Sequence, residues 1–402
     1  MESYILDWLN LLLRWFHLIA GAAWIGASFY FNWLNHSIRP PEDEGLEGME
    51  GIKGQLFAVH GGAFYQVLKY KGAPAKLPKT LHWFMWEAYS TWLSGFGLVI
   101  VVYYWNAKLY LIKSGANALV PWQAILISLG FIVGGWLIYD FLCKTPLPKK
   151  SPVLFVTLGF ALISVAAFAL SYIYPPRASY IHVGVILGTI MAANVFFVII
   201  PKQRVMVNAM IEGKEPDVTA GEAGAMRSLH NNYFTLPVLF IMISNHFPMT
   251  YGHKFNWIVL LAISVIGAGV RHYFNLKHKG HYNVWVLPVA AVAMFSLAFV
   301  IRPVPKAASK TFVIKKKLAY GDVASIIQKR CVPCHASKPT YPGFTAPPQG
   351  SKFEAYQEIV KLRAKMLTNV KNSVMPPGNL TGLTDRERAY LVHWLDHGAP
   401  EK

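Results

Sequence analysis

The sequence predicts an all-α protein: an eight-helix transmembrane domain followed by a small helical domain outside the membrane. Three observations predict it. The 402 residues are 54% hydrophobic and 14% aromatic but only 14% charged, too apolar for an average soluble chain. Several windows reach the roughly 20 apolar residues that cross a bilayer. Beyond residue 305 the character changes to a polar, Pro- and Gly-bearing stretch without a spanning segment. The expected units are a membrane domain at 1–305, a basic linker KAASKTFVIKKK at 306–317, and a terminal domain at 318–402.

Membrane spans are expected near residues 8–33, 82–105, 121–142, 152–174, 179–201, 229–247, 255–276 and 283–301, separated by clusters such as RPPEDE, KTPLPKKSP and YPPR. The first run, Trp8 to Trp33, is too long for a signal-peptide core. No basic n-region or small-residue cleavage site precedes it, so no removable signal is expected. The net charge of +18 is scattered between apolar spans, which argues for membrane orientation rather than nucleic-acid binding. Loops 34–81, 143–151, 202–228 and 271–282 hold sixteen Lys and Arg, whereas the alternating loops 106–120, 175–178 and 248–254 hold four. Basic loops stay in the cytoplasm, so both termini are expected across the membrane.

The two halves of this region share a weak pattern. Trp86-Glu87-Ala88-Tyr89-Ser90-Thr91 aligns with His230-Asn231-Asn232-Tyr233-Phe234-Thr235, Gly134-Gly135…Phe141 with Gly267-Ala268…Phe274, and His17 with His182. Two four-helix repeats would place a ligand site between the halves. Chance likeness among apolar helices is the competing explanation.

Only three cysteines occur, which excludes a disulfide framework. Two of them form Cys331-Val332-Pro333-Cys334-His335. A redox dithiol would need a βαβ context that is missing. A zinc site would need a second pair of ligands, for which His393 and His397 are candidates. Covalent haem uses the same spacing: Cys331 and Cys334 would add to the vinyl groups and His335 would bind iron. The surroundings favour haem. A helical segment, AYGDVASIIQKRC, delivers the motif, and SVMPPGN places Met375 in a proline-rich loop, where a thioether suits the sixth iron position. Then LTDRERAYLVHWLDHG, with Thr384 and Glu387 spaced as a capping box, closes the domain. That order is the order of a small class I cytochrome c, whose haem is attached outside the cytoplasm, where the loop charges put this domain.

Ionisable residues within membrane helices are functional candidates. Arg14 and His17 share a face of the first span. His182 lies nearer the outer end of span 5, His82 and His230 open spans 2 and 6, and Arg271 and His272 close span 7. They would form a polar cavity for a small substrate, a quinone or a second haem of type b, or else hydrogen-bond across helices as packing groups. Asp140 and Glu87 are proton-relay or interfacial candidates, and Cys143 reads as a small apolar filler.

The stretch LLRWFHLIAGAAWIGASFYFNWLN, the eight spans, and the tail CVPCHASKPTYPGFTAPPQG with MPPGNLTGLTDRERAYLVHWLDHGAP together resemble the membrane-bound, cytochrome c-containing urate oxidases, or urate hydroxylases. The resemblance covers essentially the whole chain. It implies oxidation of urate to 5-hydroxyisourate in purine catabolism. Electrons would leave through haem c to a soluble cytochrome c or terminal oxidase, at a bacterial inner membrane with both termini periplasmic. Urate is a planar anion, so its site would need a basic group, an anion partner and an aromatic stack. Arg14 with His17, and Tyr89 and Thr91 with their counterparts Tyr233 and Thr235, are the expected residues, with His182 and His230 as further candidates. A quinol-oxidising haem b protein with a cytochrome relay, and a transporter with a cytochrome appendage, are the competing functions.

Overall fold

The computed structural model describes residues 2–41, 51–71, 74, 77–113, 119–215, 217–278, 280–302, 314, 316–341 and 347–402. Most of the basic linker lies outside the described residues. Helix α1 runs Glu2–Ser37, ten residues more than the expected span. At 1.5 Å per residue it is about 54 Å long and overreaches a hydrocarbon core of about 30 Å. Its ends carry Glu2, Asp7, Asn32, Asn35 and His36, so helix geometry continues where apolarity stops.

The loop after α1 departs from the all-α expectation. Strands β1 (Ile52–His60) and β2 (Ala63–Tyr70) pair antiparallel, with His60 opposite Ala63. The turn is Gly61-Gly62, both with positive φ (58° and 78°). Two-residue hairpin turns of this kind need left-handed backbone at both positions, which glycine adopts without steric cost. The Gly-Gly pair between two runs rich in Phe, Val and Tyr was the available signal.

The bundle continues with α2 (Trp86–Leu98), which passes through a π-helical stretch Val99–Tyr104. Then follow α3 (Pro121–Lys144), α4 (Pro152–Ile173) and α5 (Pro176–Ala193). A second π stretch, Asn194–Ile199, joins α5 to α6 (Ile200–Ile211). Helices α7 (Val218–Ser244), α8 (Asn256–His278) and α9 (Val286–Val300) complete it. Pro121, Pro152 and Pro176 start their helices, where a missing N–H costs nothing.

Among the described residues, five helical stretches are long and apolar enough to cross a membrane: Tyr4–Ser37, Pro121–Lys144, Pro152–Ile173, Pro176–Ile211 and Asn256–Lys277. Of the other three expected spans, α9 is apolar but only 15 residues long. Helices α2 and α7 are interrupted by polar residues that point inward: Thr91, Ser94, Arg227, Asn231, Asn232 and Thr235 are all buried. A membrane helix carries such groups where they face protein. The main apolar core joins the π stretch after α2 with α3, α4, α5, α7 and α8 through Tyr103, Ile132, Leu170, Tyr180, Ile186, Ile241 and Leu260. Helix α1 packs on α2, and α5 on α7.

The terminal unit is built from α10 (Tyr320–Arg330), α11 (Tyr356–Lys361), α12 (Arg363–Lys371) and α13 (Asp385–Asp396). Val323, Ile327, Ile359, Leu391, Trp394 and Leu395 are wholly buried against one another. Thr384 caps α13 by accepting from the Glu387 N–H, and the Glu387 carboxylate accepts from the Thr384 N–H. This is the reciprocal box the sequence predicts.

Candidate functional site

Cys331 caps the C-terminal end of α10. The Cys334 and His335 N–H groups both return to the Cys331 carbonyl, at 3.2 and 3.0 Å, in a tight turn. His335 Nδ1 meets the Ser351 carbonyl at 2.8 Å, and Phe353 packs on the ring with centroids 4.6 Å apart. One ring nitrogen is thereby fixed and Nε2 is left for a ligand, the usual second-shell arrangement of a metal-binding histidine. The Met375 loop is held from two sides. Its N–H donates to the Asn369 carbonyl at 3.1 Å, and its carbonyl accepts from Arg388 at 3.0 Å. Cys331, Cys334, His335 and Met375 all line one cavity of about 860 Å³.

The chemistries the motif left open ask different things of these residues. Both thiols are free, and burial pushes Cys331 up to about 12 and Cys334 upward. A reactive dithiol needs its thiolate favoured instead. His393 and His397 line a different pocket with Lys316 and Leu318. Among the described residues no three His, Cys, Asp or Glu side chains gather to hold a metal ion. Two thiols in a turn, a histidine with a free Nε2 and a thioether residue on the lining of the same cavity do fit a covalently attached haem.

The same cavity is walled by the membrane bundle. Asn10 and Arg14 of α1, Tyr110, Arg177 of α5, Asn245 and Tyr251 line it opposite His335 and Met375. The Pro377–Asn379 turn packs on the Ala107–Tyr110 turn, and the Pro248–Tyr251 turn packs on α12, so the Met375 loop is pressed against the bundle. Arg14 donates to Asn10 Oδ1 at 2.9 Å, and Arg177 Nε donates to Asn245 Oδ1 at 2.9 Å. Each amide fixes the direction of its guanidinium. Arg177 lies in the first turn of α5, where the helix dipole disfavours a cation and favours an anion. Asp7 is the one carboxylate on the lining among the described residues, against Arg14, Arg177 and Lys365; Arg330, also on the lining, is paired with Glu387. The wall therefore favours anions.

Of the expected substrate residues, only Arg14 reaches this cavity. His17 Nδ1 meets the Thr91 carbonyl at 2.9 Å and Ser94 Oγ at 3.2 Å, with its ring against Gly95, so it joins α1 to α2. Thr91 and Thr235 donate back to carbonyls of their own helices. Tyr89 packs on Phe196, and Tyr233 OH pairs with His272 at 2.7 Å. His182 is fully buried between Tyr103 and Tyr174, with Nδ1 on the Ala178 carbonyl. His230 bonds Tyr139 OH at 2.8 Å and stacks on Phe155. Sequence reasoning missed Arg177, Asn245 and Tyr110. A cation in the first turn of an apolar helix was the signal for Arg177.

Neither the curated proteins nor the solved structures contain a match to this chain. The helical bundle, in contrast, is matched almost end to end by one family model, described as urate oxidase N-terminal and covering residues 3–302, and the chain belongs to that family.

Proposed function

We propose that the protein is a membrane-bound urate oxidase that passes electrons from urate to a c-type haem carried on its own terminal domain. The observation that carries the reading is the shared cavity. One space of about 860 Å³ is lined both by Cys331, Cys334, His335 and Met375 and by the Arg14 and Arg177 pair. Family membership supplies the urate chemistry, and the five long apolar helices agree with a membrane setting.

Urate and water give 5-hydroxyisourate, two electrons and two protons. A haem, if bound, would be held by Cys331, Cys334, His335 and Met375 and would supply a one-electron acceptor. The chain's own residues do the rest. Arg14 and Arg177, oriented by Asn10 and Asn245, hold the urate anion at the start of α5, where two guanidiniums and the helix N-terminus favour negative charge. Tyr110 and Tyr251 offer aromatic faces to the planar ring. Leu6, Leu109, Pro175 and Pro348 on the lining displace bulk water, which strengthens these interactions. On this reading both termini and the haem face the periplasm. A soluble cytochrome c or terminal oxidase takes the electrons onward.

The test is anaerobic addition of urate to oxidised membranes while the haem absorbance is followed. Reduction of two haems per urate, with no hydrogen peroxide, is expected. Haem that responds to a quinol and not to urate would replace this reading with the quinol-oxidising one.

A further inference from the structure

The bundle buries two arginines, and their surroundings treat them differently. Arg227, 2% exposed, donates to the Asp140 carboxylate at 2.7 Å and to Asn194 Oδ1 at 3.0 Å, and lies over the Tyr139 ring at 5.0 Å. Its charge is matched. Arg271 of α8 is as deeply buried, at 5% exposure. Among the described residues no carboxylate lies within ion-pair distance of it. Its Nε donates to Asn232 Oδ1 at 2.6 Å and its guanidinium sits 4.1 Å from the Phe29 ring centroid, but Nη2 is buried with no partner.

One turn along α8, Asn275 repeats the pattern. It is 4% exposed, its Oδ1 accepts from Asn32 Nδ2 at 2.7 Å, and its Nδ2 is buried with no partner. Residues four apart share a helix face. Two buried donors on one face, one of them on a cation, are therefore unsatisfied. Each unmade hydrogen bond is a cost to the fold, and a larger one when the donor is charged. An unpaired buried charge costs more again. The neighbouring acceptors, Asn232 Oδ1 and Asn275 Oδ1, are already used by Arg271 and Asn32.

We propose that Arg271 and Asn275, braced by Asn232, Asn32 and Phe29, form a second binding site, for a small oxyanion, at the junction of α1, α7 and α8. What the site offers is positive charge and N–H donors, so it selects ligands that present acceptor oxygens: a carboxylate or a deprotonated oxo-heterocycle. Urate belongs to that class, and naming it as the occupant rests on the function proposed above. The site is separate from the haem-side cavity. Ser28, which accepts from Asn232 Nδ2, follows Arg14 by fourteen residues of continuous helix, about 21 Å along the axis. The bundle thus holds the anion at two stations, one beside the electron acceptor and one towards its opposite end.

The experiment measures binding of radiolabelled urate to full-length protein in nanodiscs, reduced with dithionite so that turnover stops. Two classes of site are expected. R271Q should lose one class, with affinity down at least about tenfold, while R14Q loses the other. N275A, which removes one donor and keeps the charge, should weaken the same class as R271Q, and it serves if R271Q does not fold. Unchanged binding in both R271Q and N275A overturns the site. Loss of tightly bound phospholipid phosphate from R271Q, with urate binding unchanged, assigns the donors to a lipid headgroup and overturns it also. If the parent binds no urate at all, the proposed function fails, and titration with benzoate and inorganic phosphate tests the site alone. Arg271-dependent binding of either would support it, and its absence would reject it.

Discussion

At the scale of single residues, two neighbours on one face of α1 have different work. Arg14 opens into the cavity shared with His335, whereas His17 spends its Nδ1 on the Thr91 carbonyl and Ser94. The variants should separate accordingly. R14Q and R177Q are expected to raise KM for urate at least about tenfold, about 1.4 kcal/mol each, with the melting temperature little changed. H17F removes a part-buried hydrogen bond between helices and should cost about 1 kcal/mol of stability, with KM nearly unaffected. Steady-state kinetics beside thermal unfolding of each variant measures both. Equal KM effects from H17F and R14Q would return His17 to the substrate site. The contrast also shows what was legible beforehand. Cys331, Cys334, His335 and Met375, which line that cavity, could be singled out in the sequence because two local segments hold them. Asn245 and Tyr110 could not, because they lie 135 residues apart in turns without a local chemical pattern, and the cation at Arg177 was a signal only once the start of α5 was known. Nothing in a linear pattern distinguishes YPPR as a loop separator from YPPR as an anion-facing helix start.

At the scale of elements, the terminal unit depends on how α10 and α13 are tied beside the haem motif. Arg330, the last residue of α10, donates from Nε and Nη2 to the Glu387 carboxylate at 3.1–3.2 Å and bonds the Thr381 carbonyl. Glu387 also accepts from the Thr384 N–H at 2.8 Å. Burial pushes the Glu387 carboxyl up, but the bonds from Thr384 and Arg330 together outweigh it and hold it below its ordinary 4.5. A carboxylate depressed by folding adds stability that is complete above its unfolded pKa and is lost as pH falls through the folded one. Stability of the terminal unit should therefore decline as pH drops below about 4.5. E387Q should cost about 1 kcal/mol at neutral pH and flatten that acid limb. Hydrogen exchange of the α10 and α13 amides in the full-length protein, across pH 3 to 7, reports it. An E387Q acid limb as steep as the parent's would assign the loss to other carboxylates. The box itself was readable from Thr384 and Glu387 three apart. Its second partner, Arg330, came from packing 57 positions away. The β1–β2 hairpin shows the opposite failure: its Gly61-Gly62 signal was local and present, but the segment was read for charge rather than for alternation.

At the scale of the whole molecule, charge and contact make one argument about sidedness. The basic loops 143–151 and 202–228 lie at one end of the bundle, where Lys149 pairs with Glu222 between them. The cavity shared with the terminal unit lies at the other, lined by the turns at Tyr110, Arg177 and Tyr251, which belong to the loops poor in Lys and Arg. If basic loops stay in the cytoplasm, the Met375 loop can only meet the bundle from outside. An impermeant maleimide applied to intact cells should label a cysteine placed at exposed Lys361 or exposed Arg386. It should leave a cysteine at exposed Lys149 or Lys214 unlabelled until the membrane is opened. The reverse pattern would put the haem motif in the cytoplasm, away from the compartment where covalent c-type haem is attached, and would break the link between the cavity and electron export. The predicted pattern instead makes the long helices serve one purpose. On the proposed function they would carry the anion-facing Arg14 and Arg177 to the face where an extramembrane acceptor docks, so that oxidation of the substrate and departure of its electrons would share a single cavity.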